Sequence, residues 1–222
     1  MLTQSCCAEW IHRPFAADTH VTEPLRFAGL TTMSLRDTFS FLGDWTSDPR
    51  RVGAIAPSGR ALARLITAEI DAGAAPVIEL GAGTGVFTRA LIERGLRPQD
   101  LCLVECGDVF ANVLRQRFPG AQVRQIDAAR LSEAMLFDGA RAGAVVSGLP
   151  LLNMSAETIA AILEGAFSHL REDGAFYQFT YGWRCPVPAA VRRHLDLQAT
   201  HLGRAWRNIP PAAVWRIERR HW

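Results

Sequence analysis

Chemistry is first legible in the run Val77-Ile78-Glu79-Leu80-Gly81-Ala82-Gly83-Thr84-Gly85. Strand-type apolar residues lead to an acid, and three glycines at alternate positions then precede a helical pattern. Glycine lets the backbone turn tightly and approach a ligand with no Cβ in between, and the following helix opens with N–H groups that have no intrahelical partner. Two more acids stand at the ends of strand-like runs: Glu105 after Leu101-Cys102-Leu103-Val104, and Asp127 after Gln125-Ile126. Each has a plain structural use by itself, since glycine turns chains and Asp127 can cap a helix. Three such features at three successive strand ends exceed what turns require, because ligands of open α/β sheets bind at the carboxyl ends of the strands.

Other chemistries are excluded by absence. All 24 basic residues are arginine, which removes imine, phosphate-loop and kinase-type lysine mechanisms. The five cysteines are an odd set without C-x-x-C spacing, and no histidine pair has zinc-ligand spacing, so neither disulfides nor a metal is expected. A net charge of +2 is far from that of a protein that wraps nucleic acid, and no nucleic-acid partner is expected. With no apolar run of membrane-spanning length and no signal-peptide pattern at the start, the expected location is the cytoplasm.

The elements that must position these residues alternate after Gly73. The pattern predicts strands at 76–80, 101–105, 121–126, 144–147 and 175–181, with helices at 84–94, 108–118 and 155–170 between them. A parallel sheet covered on both faces follows from that alternation. Residues 199–206 and 214–219 flank Asn208-Ile209-Pro210-Pro211 and predict an antiparallel pair at one edge. Upstream, residues 59–72 read as a helix capped by Ser58 and ended by Gly73, and 34–46 as an amphipathic helix weighted with Phe39, Leu42 and Trp45. Residues 1–33 show neither period and read as a tail ahead of one domain, 34–222.

A dinucleotide fingerprint would need a small residue at position 86, where Val86 stands. The segment from Glu79 to Gly85 instead closely resembles the E-x-G-x-G-x-G form of S-adenosylmethionine-dependent methyltransferases. The resemblance implies a Rossmann-like seven-stranded methyltransferase fold, mostly parallel with an antiparallel C-terminal strand. It also implies S-adenosylmethionine as cofactor and S-adenosylhomocysteine as product. Cofactor contacts are implied at Glu79, Gly81, Ala82, Gly83, Thr84, Gly85, Glu105, Asp127, Ala128 and Ser147, with Glu105 accepting from the ribose hydroxyls and Asp127 from the adenine amino group.

Three further segments, Gly53-Ala54-Ile55-Ala56-Pro57-Ser58, Ser147-Gly148-Leu149-Pro150-Leu151-Leu152-Asn153 and Gln178-Phe179-Thr180-Tyr181-Gly182, resemble bacterial phospholipid N-methyltransferases. The likeness spans roughly residues 35–219 and implies stepwise methylation of phosphatidylethanolamine toward phosphatidylcholine at the inner face of a membrane. Related ribosomal RNA adenine dimethylases end their fourth strand in N-[LI]-P-[YF]; aligning Leu149-Pro150 puts Gly148 and Leu151 at the two decisive positions, so adenine is disfavoured. Other amine acceptors, namely ornithine lipid, a small metabolite or RNA, and a non-catalytic cofactor binder stay open as alternatives.

An amine losing its hydrogen-bond donors as it gains methyls is best lined by aromatic faces. Tyr177, Phe179, Tyr181 and Trp183 share one side of the fifth strand at period two. Phe179 reads as core, while Tyr181, Tyr177 and Ser147 are the candidate catalytic residues. Ser58, Leu149 and Trp183, with Phe39, Leu42 and Trp45, are the candidate substrate or membrane contacts. Residues 184–222 carry eight arginines against two acids, suited either to solvent or to an anionic membrane surface.

Overall fold

Alternating strands and helices build one mixed sheet in the computed structural model, which describes residues 57–206, 208 and 210–220, without the side chains of Pro57 and Ser58. The expectations for the tail 1–33, for the helix 34–46 with Phe39, Leu42 and Trp45, and for the side chain of Ser58 lie outside the described residues. Strands β1 (Val77–Leu80), β2 (Leu101–Val104), β3 (Gln122–Arg124), β4 (Ala142–Ser147), β5 (Leu170–Thr180), β6 (Leu197–Ala205) and β7 (Ala212–Arg219) lie in the order β3-β2-β1-β4-β5-β7-β6. Parallel pairing runs from β3 to β5, and β7 is antiparallel to both β5 and β6. Since β5 and β6 each oppose β7, they point the same way and end at the same edge of the sheet as β1 and β4.

Helices α1 (Pro57–Ile66), α2 (Val86–Glu93), α3 (Asp108–Arg117), α4 (Ala156–His169) and α5 (Ala189–His194) are the connecting layers. On one face, Leu62 and Ile66 of α1, Leu91 of α2 and Leu114 of α3 pack against Val77, Leu101, Leu103 and Val146. On the other, Ile159, Ile162, Leu163 and Ala166 of α4 meet Ile78, Leu80, Val145 and Phe176. Successive residues of β1 feed opposite cores, and the central strands are buried on both faces, as parallel strands under two helical layers must be.

Several elements differ from the sequence pattern. The first helix is expected to follow a Ser58 cap and run to residue 72, but it begins at Pro57, which puts Ser58 inside its first turn, and it ends at Ile66. Buried Thr67 turns its hydroxyl back to the Ala63 carbonyl at 2.8 Å, and the next bonds, Ala68 N–H to Leu65 and Ile70 N–H to Thr67, are three-residue rather than four-residue spans. Strand β5 starts at Leu170, not at 175, and its register against β4 jumps between Ala142 and Ala144. The Asp173-Gly174 turn is therefore absorbed as an irregularity inside the strand. Helix α5, only one and a half turns long, has too few residues to show a 3.6 period.

The tips of β1 and β4 touch through glycine. The Gly148 N–H donates to the Leu80 carbonyl at 2.8 Å. A Cβ on Gly148 would stand 2.8 Å from the Gly81 carbonyl oxygen, and one on Gly81 would stand 2.8 Å from Leu149 Cδ2. Gly148→Ala is expected to lower stability by about 1–3 kcal/mol through overpacking against backbone. A urea titration of the variant beside the parent checks this, and an unchanged midpoint would refute it.

Candidate functional site

Three loops meet at the carboxyl edge. In the glycine loop Gly81, Gly83 and Gly85 all have left-handed backbone, with φ of 66°, 52° and 77°, a region that costs other L-residues energy. Their neighbourhoods differ. A Cβ on Gly85 would collide with the Phe118 ring, whereas the space beside Gly83 is open, with the Gly81 carbonyl oxygen at 4.0 Å as nearest neighbour. Gly81 and Gly85 thus serve packing, and Gly83 leaves backbone exposed to a ligand. Arg117 Nη1 donates to the Thr84 carbonyl at 2.6 Å and ties the loop to the end of α3.

Glu105 follows β2 and faces that opening. Its Oε2 accepts from Gly83 N–H and its Oε1 from Gly107 N–H, both at 2.9 Å. Each carboxylate oxygen has a second lone-pair direction to spare, so the side chain shapes the glycine loop and still offers acceptors for a vicinal diol. Asp127 lies past β3 and accepts from the Ala129 N–H at 2.9 Å, capping a short 3-10 helix that begins at Ala128. The capping use holds for one oxygen and leaves the other available. The open space at Gly83 and the spare acceptors of Glu105 fit an adenosyl group, with Asp127 and the buried Ala128 next along the edge.

Glu79 is 1% exposed inside β1, and Thr88 of α2 donates to its Oε2 at 2.5 Å. Burial pushes its carboxyl up to about 8, the Thr88 bond pulls it down, and neighbouring Glu105 pushes it up again. The side chain is therefore mainly protonated at neutral pH.

Beyond β4, buried Ser147 accepts from the Leu149 N–H at 3.3 Å. Gln178, its register partner on β5, donates from Nε2 to the carbonyls of Leu149 and Phe179 at 2.9 and 2.8 Å. Two carbonyls fix the orientation of that amide, and its Oε1 is buried with no hydrogen-bond partner. Gln178 was not among the expected site residues; an inward polar residue ending a buried strand was the available signal. Leu151 is buried in the core and Leu149 packs against it, so neither the asparagine nor the aromatic position of the adenine-dimethylase tetrad has a working counterpart here.

The two tyrosines part company. Tyr181 follows β5 at the carboxyl edge, its ring edge-on to Phe179 at 5.5 Å, and Phe179 is edge-on to Phe87 of α2 at 6.0 Å. Burial raises the Tyr181 hydroxyl, and its bond to Asn208 offsets part of that. Tyr177 is a correction: its hydroxyl lies 3.3 Å from Glu69, in the segment leading to β1, and burial holds it at about 12. Packed under α1 in the core, it is not brought to the glycine loop. Trp183 is exposed beyond Tyr181. Among the described residues no group of three or more His, Cys, Asp and Glu side chains is placed to hold a metal, and no helix is long and apolar enough to cross a membrane.

Two outcomes are expected. Between about pH 4.5 and 8 the folded chain keeps the Glu79 proton that the unfolded chain has lost, so this residue's contribution to stability falls as pH rises through that window. Glu79→Gln should remove that fall, checked by comparing urea midpoints of parent and variant from pH 5 to 8; parallel curves would contradict it. Glu105→Gln sets an amide N–H against one of two backbone donors and should weaken S-adenosylmethionine binding about 10- to 100-fold, read by calorimetry.

No family model matches the chain. A TehB-like methyltransferase of Corynebacterium glutamicum has the same fold, with a TM-score of 0.60 at 15% identity, over 83% of this chain and 99% of that one. The 1,6-didemethyltoxoflavin-N1-methyltransferase of Burkholderia thailandensis, solved with S-adenosylhomocysteine, gives 0.55 at 17% identity over 89% and 93% of the two chains. The glycopeptide N-methyltransferase MtfA with S-adenosylmethionine bound gives 0.54 at 14% identity over 75% and 96%. An ornithine lipid N-methyltransferase of Singulisphaera acidiphila is 30% identical over 187 residues, which is 82% of this chain and 95% of that protein. With the glycine loop, the Glu105 acceptors and this relative together, the chain belongs to the S-adenosylmethionine-dependent methyltransferases, in the family of that lipid enzyme.

Proposed function

We propose that the chain transfers methyl groups to the primary amine of a membrane-lipid headgroup, with ornithine lipid as the leading acceptor. The observation that carries this reading is the ornithine lipid N-methyltransferase that it matches along nearly that protein's whole length. The loop after β4 agrees with it: the backbone contact at Gly148 leaves no room there for the side chain that grips adenine in base-modifying relatives. Phosphatidylethanolamine is a second reading, favoured by the three segments that resemble phospholipid N-methyltransferases.

S-adenosylmethionine, when bound, supplies an electrophilic methyl group on a sulfonium sulfur. The lipid ammonium, with a pKa of about 10.4 in water, has to shed a proton first, and a site out of water favours the neutral amine. Here the half-buried faces of Phe179 and Tyr181 supply that surrounding. Tyr181 keeps its own proton at neutral pH and acts through its ring and hydroxyl, not as a base.

The test is transfer of labelled methyl to ornithine lipid and to phosphatidylethanolamine in detergent micelles. Label in either lipid supports lipid N-methylation, the faster acceptor names the substrate, and label in neither refutes it. Tyr181→Ala should lower kcat/KM for the lipid about tenfold while S-adenosylmethionine affinity stays within twofold, through loss of a cation–π face. Equal activity of the variant would remove Tyr181 from the acceptor site.

A further inference from the structure

Past the tip of β5 two indoles stand in solvent, Trp183 at 76% and Trp206 at 66% exposure. They meet edge-on at 6.5 Å, and the Arg204 guanidinium lies between them, 3.5 Å over the Trp183 ring and 5.4 Å from that of Trp206. One N–H of Arg204 donates to the Gly182 carbonyl at 3.1 Å. Stacking occupies the face of a guanidinium and leaves the other in-plane donors directed outward, the geometry that suits a phosphate.

Behind the stack runs an open groove of about 510 Å³, lined by Ala61, Leu65, Ala68, Ala205 and Trp206 with Arg64 and Arg204 at its margin. Arg60 precedes Arg64 by one turn of α1, and Arg184 follows Trp183. The acids that flank these segments, Glu69, Asp196 and Glu218, are paired with Arg216 and Arg220, and none occurs in residues 57–68, 181–195 or 197–217, which carry the groove arginines. Exposed tryptophan beside arginine, over an apolar trough, has the chemistry of the bilayer interface: indole sits at headgroup level, and basic residues near an anionic surface are drawn to it. The placement agrees as well. Trp183 and Trp206 follow the ends of β5 and β6, which point the same way as β1 and β4.

We propose that Trp183, Arg204 and Trp206, with the groove against α1, form a docking site for anionic phospholipid that sets the carboxyl edge of the sheet against the membrane. The inference rests on the reading that the acceptor is a membrane lipid, and it concerns a site apart from the glycine loop.

The test is co-sedimentation of the full chain with vesicles of phosphatidylcholine, alone or with about one-third phosphatidylglycerol. Arg204→Gln and Trp206→Ala should each weaken binding to the anionic vesicles about fivefold to tenfold, with S-adenosylmethionine affinity unchanged. Quenching of tryptophan fluorescence by brominated lipid should fall in Trp206→Phe. Equal binding of both variants, or equal binding of the parent to neutral vesicles, overturns the proposal. So do variants that melt earlier while sedimenting as the parent does, the result expected if another part of this chain covers the groove. The micelle assay judges the other reading separately: no label in either lipid defeats the lipid acceptor, whereas label there with vesicle binding unaffected by the substitutions defeats only the docking site.

Discussion

Backbone against backbone at the tips of β1 and β4 is the constraint on which the site depends. A Cβ on Gly148 would meet the Gly81 carbonyl oxygen, Gly81 itself has left-handed backbone beside the Leu149 side chain, and the Gly148 N–H closes the contact on the Leu80 carbonyl. Held there, the glycine loop turns its open side, at Gly83, toward Glu105. The carboxylate completes the arrangement by bonding two backbone N–H groups from different loops. A single anion thereby organises the chain around the space a ligand needs, at a strand end where water is already partly excluded.

Much of this was legible in the residues. Central strands buried on both faces read as continuous apolar runs, and their alternation with helices predicts the sheet and its antiparallel edge. Glu105 and Asp127 stand past the ends of β2 and β3, while Glu79 lies buried inside β1. What could not be read was direction within a face: period two groups Tyr177 with Tyr181, yet four residues of rise separate their hydroxyls, and only the second lies at the tip. Likewise a glycine at 148 reads as the loss of asparagine, while the structure gives its positive reason in the neighbouring carbonyl oxygen. Gln178 stands in one of the quoted segments, but its amide's orientation and its unpartnered acceptor depend on contacts with residues 149 and 179 and not on spacing.

Electrostatically the molecule separates two regimes. Around Glu79 charge is suppressed by burial, and the acid is held neutral beside a second carboxylate. At the far end of β5 and β6 charge stands in the open, carried by arginines stacked on or flanking exposed rings. The intervening strand β4 keeps the two apart in the sheet.

The glycine pair also bears on how such an enzyme can diversify. With Gly148 held against the Gly81 carbonyl oxygen, a substitution there needs a shift of the β1 tip as well, so the β4 tip is barred from acquiring a new recognition side chain by single steps. The segment after β5 is under no such bar, because Tyr181 and Trp183 project side chains rather than brace a neighbour's backbone. New side chains can therefore enter this edge of the sheet after β5 more readily than at the tip of β4.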